Sequence, residues 1–98
     1  MNEAIDSARS GINQKHGGPF GATIVQNDKI IATAHNTVIK DNDPTAHAEV
    51  NAIRAAAKHL QHPHLHDCVL YTTCEPCPMC LAATYWARIP KVIYGCTR

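Results

Sequence analysis

The chain has 98 residues, enough for one domain, with 45% hydrophobic and 17% charged residues, and a domain of this size buries only about 60–70% of its unfolded surface. Nine basic residues against eight acidic leave a net charge of +1, which excludes an affinity built mainly on phosphate contacts and makes nucleic acid a poor partner. No apolar run reaches bilayer length, and the early acids of Met1-Asn2-Glu3-Ala4-Ile5-Asp6 are unlike a signal peptide, so no membrane contact and a cytoplasmic location are expected. In a reducing compartment, five cysteines read as metal ligands and buried thiols rather than disulfides, and their odd number agrees.

Taken in chain order, residues 2–15 place Ala4, Ile5, Ala8 and Ile12 at spacings that predict an amphipathic helix, with Glu3, Arg9 and Lys15 on its polar face. His16 falls at its end, where an imidazolium suits the helix C-terminus. Gly17-Gly18-Pro19-Phe20-Gly21 then breaks the helix. It reads either as a plain turn or as a loop whose glycines bring the backbone close to a ligand, and Phe20 as core or pocket wall. The β-branched runs 22–26 and 29–36, separated by Asn27-Asp28, predict two antiparallel strands joined by a tight hairpin. Asn36 ends the second strand. Its amide is able to read both donor and acceptor edges of a heterocycle, although asparagine more often simply forms turns.

Asp43-Pro44 is expected to open the second helix, the aspartate as cap and the proline at the first helical position, with Thr45 as the other candidate cap. Glu49 does not fit a capping box with Thr45, since Ala48 holds that spacing. Residues two apart on a helix point about 200° away from each other, so His47 and Glu49 need special local geometry to converge. The helix continues through Ala52, Ile53, Ala56 and Leu60 as an alanine-rich buried stripe, with Arg54 and Lys58 outward. The histidines of segment 59–66 surround Pro63 without a carboxylate in ligand spacing, and read as a solvated loop.

Residues 68–73 form a short apolar run suited to a strand in the middle of a sheet. Cys74, Cys77 and Cys80 are each three apart, so two overlapping pairs compete. Pro78 favours a helix capped by Cys77, which sets Cys77 and Cys80 at its positive end, where thiolates are stabilised, and leaves Cys74 as a nearby thiol. Met79, Leu81, Ala82, Tyr85 and Trp86 are expected to be mostly core, with Trp86 a stacking wall only if it faces the metal. Arg88-Ile89-Pro90 ends the helix, 91–96 reads as a last strand, and Cys96 is expected to be buried. The order helix, strand, strand, helix, strand, helix, strand requires a parallel crossover near its end and predicts a mixed sheet between helices.

Two stretches carry the chemistry: His47-Ala48-Glu49 and Pro76-Cys77-Pro78-Met79-Cys80. One imidazole and two thiolates give Zn²⁺ three protein ligands and leave the fourth position for water, the arrangement of a catalytic zinc. Zinc with neutral ligands lowers the pKa of its water from about 15.7 to about 7. Two thiolates weaken that effect, and a carboxylate beside the water compensates by taking the proton and handing it on. His-x-Glu followed by Pro-Cys-x-x-Cys is the signature of zinc deaminases acting on nucleobases.

Over about residues 17–95 the chain resembles the cytidine-deaminase-like superfamily and, within it, the bacterial guanine deaminases. The resemblance is carried by Gly-Gly-Pro-Phe-Gly-Ala at 17–22, Asn-Asp-Pro-Thr-Ala-His-Ala-Glu-Val at 42–50, Cys-Glu-Pro-Cys-Pro-Met-Cys at 74–80, and Tyr85-Trp86-Ala87. Adenosine deaminases of transfer RNA share the metal motif but usually lack that tryptophan. The resemblance implies a three-layer α/β/α fold with a mixed β-sheet, His47, Cys77 and Cys80 as zinc ligands, Glu49 as proton shuttle, and Asn36, Phe20, Ala48 and Trp86 around the base. The implied reaction converts guanine and water to xanthine and ammonia, in a family that is commonly homodimeric. Alternatives are a deaminase of transfer-RNA adenosine or of a cytosine nucleoside or nucleotide, and a shortened, catalytically impaired zinc-binding domain. Family members usually continue past the last strand with another helix and strand, which carry a late acidic residue. A single domain over 1–98 is therefore expected to be a fragment, to be completed by a second subunit, or to turn over weakly.

Overall fold

A computed structural model describes residues 1–97. Its elements are α1 (Asn2–Asn13), β1 (Gly21–Gln26), β2 (Lys29–His35), α2 (Val38–Asp41), α3 (Ala48–Leu60), β3 (Cys68–Thr72), α4 (Pro78–Trp86) and β4 (Lys91–Tyr94). The four strands form one sheet in the order β2-β1-β3-β4. β1 pairs antiparallel with both β2 and β3, and β3 pairs parallel with β4. The mixed sheet, the crossover through α4 and the central position of 68–72 are thus as the sequence predicts. Asn27 and Asp28 both take positive φ, 50° and 65°, the conformation that matches a two-residue turn to the twist of a hairpin.

Side chains alternate across β1, so Gly21 and Thr23 face α1 while Ala22 and Ile24 face the opposite layer. That second layer holds the main core. Ala48, Ala52 and Ala56 of α3 lie against Ala22, Ile24 and Leu70 of the sheet, with Leu65, Cys68, Ala87 and Ile89 closing the cluster. Alanine lets α3 sit close to the strands, chiefly β2 and β1.

The α1 layer differs from its sequence reading. Ala4, Ala8 and Gly11 are the buried positions, while Ile5 and Ile12 remain exposed. The cause is proximity: a Cβ on Gly21 would lie 1.8 Å from the carbonyl oxygen of Ala4. Only small residues fit such an approach, so the isoleucines are displaced to the flanks of the contact.

Helix α3 also begins later than Asp43-Pro44 suggests. The Asp43 carboxylate accepts from the Thr45 backbone N–H at 2.9 Å and from Thr45 Oγ1 at 2.7 Å, closing a local turn instead of capping a helix. Asn51 then pins α3 to this region, its Nδ2 donating to the His35 carbonyl (2.9 Å) and to Thr37 Oγ1 (2.8 Å). The single turn α2 has no periodic apolar pattern in the sequence to announce it. It forms because the Asn36 side-chain oxygen accepts from the Val38 N–H at 3.0 Å.

Two imidazoles stitch the end of α1 to β2. Ser7 Oγ lies 3.0 Å from His35 Nδ1, and His35 Nε2 lies 2.8 Å from His16 Nδ1. Burial first, then the neighbouring His16 and Lys40, hold the His35 pKa below its ordinary value of 6.5. The unfolded chain therefore takes up this proton near 6.5 and the folded chain only at lower pH. Its contribution to stability is complete above 6.5 and is lost as pH falls through the window below that value. Urea midpoints measured across this window should fall on acidification, and the fall should be shallower in His35→Gln. Gly21→Ala should lower unfolding stability by about 3 kcal/mol in the same assay, because the clash is with backbone that no rotamer change relieves.

Candidate metal centre and adjoining cavity

His47 and Cys77 occupy equivalent places, each the residue just before a helix. His47 precedes α3 with φ −71° and ψ 157°, and Cys77 precedes α4 with φ −69° and ψ 169°. Neither side chain caps its own helix, so both are free to turn inward. Pro78 at the start of α4 supplies no N–H that would need a cap. The extended backbone of His47 also removes the 200° difficulty, because His47 is not a helical residue and Glu49 alone lies in the first turn of α3.

The donor atoms converge. His47 Nδ1 lies 3.6 Å from Cys77 Sγ and 3.4 Å from Cys80 Sγ, and the three donor atoms all fall within 4.8 Å of one another. Bonds of 2.0–2.1 Å to nitrogen and 2.3 Å to sulfur in a tetrahedron imply nitrogen–sulfur separations of about 3.6 Å. The spacing therefore fits zinc. Among the described residues this is the one group of three or more such donors, and the histidines of 59–66 form none.

Electrostatics point the same way. Burial pushes the Cys80 thiol far above its ordinary range, and the Glu49 carboxylate and Cys77 push it further. A buried thiolate beside a carboxylate needs a cation close by. The N-termini of α3 and α4 add partial positive charge from the backbone.

Beside the donors lies a cavity of about 370 Å³ lined by Phe20, Asn36, His47, Glu49, Thr72, Cys74, Glu75, Cys77 and Thr97. A larger depression of about 670 Å³ runs along α1 and β2, but it is open and has no cluster of metal donors, so size alone does not identify the site. Glu49 is 7% exposed and Asn36 8%. With its side-chain oxygen held by Val38, Asn36 has its NH₂ group left to offer. Gly17 packs directly on this amide, where a Cβ would meet the Asn36 side-chain oxygen at 2.1 Å. Phe20 is 39% exposed and is a cavity wall.

Two residues named from the resemblance, Ala48 and Trp86, are not among those lining the cavity. Ala48 is fully buried in the core under α3. Trp86 is 74% exposed and is not among the residues lining the cavity; Leu81 and Tyr85 are exposed on the same helix. The expectation that these α4 residues are mostly core is corrected: the buried positions of α4 are Cys80 and Thr84. Cys96, expected to be buried, is exposed, and its sulfur lies 2.6 Å from that of Cys74. Cys74 stands outside the three-donor group, in keeping with the pairing of Cys77 with Cys80.

Thr72, Glu75 and Thr97 line the cavity without having been singled out in the sequence. Glu75 carried a usable signal, a carboxylate between two cysteines of the metal loop. Thr97 carried none. It reaches the cavity only because β4 runs parallel beside β3 and the two chains leave the sheet together, Gly95 N–H donating to the Thr72 carbonyl at 3.1 Å.

Comparison with known proteins agrees with this geometry. The chain is 56% identical over 95 residues to the guanine deaminase of Bacillus subtilis, covering 97% of this chain and 61% of that protein. It is 50% identical over 77 residues to the tRNA-specific adenosine deaminase of Aquifex aeolicus, covering 79% and 51% respectively. The X-ray structure of the Bacillus subtilis guanine deaminase superposes with a TM-score of 0.95 at 55% identity, over 98% of this chain and 61% of that one. The chain thus spans between half and two thirds of the length of these relatives. Residues 1–96 match the cytidine and deoxycytidylate deaminase zinc-binding region, and with a cation-demanding His-Cys-Cys centre at its heart the chain belongs to that zinc-binding deaminase family.

Proposed function

We propose that this chain carries the metal centre and part of the base pocket of a hydrolytic deaminase whose substrate is guanine, released as xanthine and ammonia. The observation that carries the reading is that Glu49, His47 and Cys77 line one cavity of small-molecule size, with the buried Cys80 completing the donor group beside it. His47, Cys77 and Cys80 would hold the zinc. When bound, the metal supplies acidity to the attacking water and charge to hold the oxygen during attack.

The protein's own groups do the rest. Glu49 takes one proton from the water and delivers it to a ring nitrogen, then moves the second, from the hydroxyl formed on the ring carbon, to the amine as the C–N bond breaks and ammonia leaves, transfers its partly enclosed position favours. Asn36 donates through its NH₂ to an acceptor on the base, and Phe20 offers its ring face for stacking. Ala48 takes part through its main chain at the start of α3, since its side chain is in the core. Trp86, on the exposed face of α4, contributes to a base only across a homodimer contact, which the exposed Leu81 and Tyr85 beside it would extend.

Guanine is favoured over its rivals by the acceptors in the cavity. Glu49 and Glu75 are both carboxylates on its wall, and guanine presents a ring N–H beside its amino group. Adenine and cytosine present an unprotonated ring nitrogen at the corresponding edge. The 56% identity to a guanine deaminase supports the same choice. The 50% identity to a tRNA-specific adenosine deaminase favours the second reading, against which the net charge of +1 argues. No helix among the described residues is long and apolar enough to cross a membrane, and a cytoplasmic site of action is part of the proposal.

Ammonia release should be measured on zinc-loaded protein with guanine, cytidine and a transfer-RNA anticodon stem side by side. Guanine should give the highest kcat/KM; inertness toward guanine with turnover of another substrate would transfer the assignment to that substrate, and inertness toward all three would leave the zinc-binding remnant. Glu49→Gln should lower the rate by about 10²–10⁴-fold with zinc still bound, and an unchanged rate would remove Glu49 from the mechanism. Cys80→Ser should weaken zinc binding by more than about 100-fold, read by competition with a chromogenic chelator.

A further inference from the structure

The rim of the cavity holds a second pair of sulfurs that the metal centre does not use. Cys74 Sγ and Cys96 Sγ are 2.6 Å apart, and neither belongs to the group formed by His47, Cys77 and Cys80. The backbone on both sides of this contact is already fixed. Gly95 N–H donates to the Thr72 carbonyl at 3.1 Å, and Glu75 N–H donates to the Cys96 carbonyl at 2.7 Å. A covalent bond between the two sulfurs therefore requires a local adjustment and no refolding of the segments that bear them. Cys96 is exposed, so a small oxidant reaches it from solvent, while Cys74 stands behind it on the cavity wall.

We propose that Cys74 and Cys96 form an oxidative modification site, a dithiol that a hydroperoxide converts reversibly to an intramolecular disulfide at the cavity rim. The Cys96 sulfur attacks one oxygen of hydrogen peroxide, the O–O bond breaks, and water leaves, giving a sulfenic acid. The Cys74 sulfur then displaces the sulfenic hydroxyl, forming the S–S bond and releasing a second water. The two electrons lost by the sulfurs reduce the peroxide, and the two thiol protons end in the two waters.

Cys96 is the sulfur that attacks first, on grounds of access. The Cys74 thiol is also held above its ordinary range, chiefly by its hydrogen bond to Cys96 and then by burial, which suits a resolving thiol rather than the initial nucleophile. The bond would join the loop that leads to the metal thiols with the segment that carries Thr97, two walls of one cavity. Oxidising equivalents would be taken up at the rim, ahead of Cys77 and Cys80. This chemistry does not depend on the deaminase substrate, and its test is independent of turnover.

The zinc-loaded chain should be treated with hydrogen peroxide, its remaining thiols alkylated, and the digest mapped by non-reducing tandem mass spectrometry with zinc content measured in parallel. The expected result is a cross-link between Cys74 and Cys96, a mass lower by two hydrogens, retained zinc, and reversal by dithiothreitol. In Cys96→Ser the cross-link should be lost while zinc content is unchanged. The proposal is overturned if no Cys74–Cys96 link forms, whether because both remain alkylatable, because Cys96 goes on to the sulfinic acid, or because Cys74 pairs with Cys77 or Cys80 as zinc is released.

Discussion

The structure depends on one electrostatic demand: a buried cysteine beside a buried carboxylate. Cys80 is fully buried, and Glu49 approaches it closely enough to raise its thiol further. Left alone, the pair would keep the thiol protonated, since a thiolate and a carboxylate in a poorly solvated place repel strongly. A divalent cation reverses the sign of that argument and turns the cluster of anionic groups into a source of binding energy. The fold's task is to hold the two helix starts that carry these groups at one end of a sheet. It does so through the tight alanine contact of α3 with β2 and β1, and through Ala87 and Ile89 after α4, which close the same core.

The same local solution is used twice. A residue just before a helix has extended backbone, and its side chain ordinarily turns back to satisfy a free N–H of the first turn. His47 and Cys77 have that backbone but make no such bond, so their side chains project toward each other. The cost is carried locally. Asp43, which would have been the natural cap, is occupied by Thr45; Pro78 has no N–H to satisfy; and Asn51 secures the entry to α3 from the side by bonding the ends of β2 and of the preceding turn. Convergence of His47 with Glu49 follows from where the helix starts rather than from helical spacing.

Much of this was legible in the residues. The hairpin at Asn27-Asp28, the central strand, the crossover and the choice of Cys77 with Cys80 each rest on a strong local rule, and each is present. What escaped the sequence depends on tertiary proximity. The buried face of α1 is set by how near the backbone of Gly21 comes to Ala4, which no hydrophobic pattern encodes. The exposure of Leu81, Tyr85 and Trp86 escapes for a related reason: α4 is apolar nearly all round, so its pattern does not say which face meets α3. Turn α2 rests on one Asn36 side-chain bond, and Thr97 enters the cavity through a strand pairing about twenty residues removed in sequence from its neighbours on the wall.

Asn36 shows how a structural duty narrows a chemical one. A free amide offers a donor and an acceptor and is indifferent between complementary edges of a base. Here its oxygen is committed to starting α2 and is covered by Gly17, so only the NH₂ remains for a ligand. The cavity wall then presents one amide donor from Asn36 and carboxylate acceptors from Glu49 and Glu75. A base that matches this arrangement must bring an acceptor to one side and N–H groups to the other. In the proposed reading it is this division of polarity, fixed by a turn and a glycine contact outside the metal centre, that selects the heterocycle, while the metal and Glu49 supply the reaction.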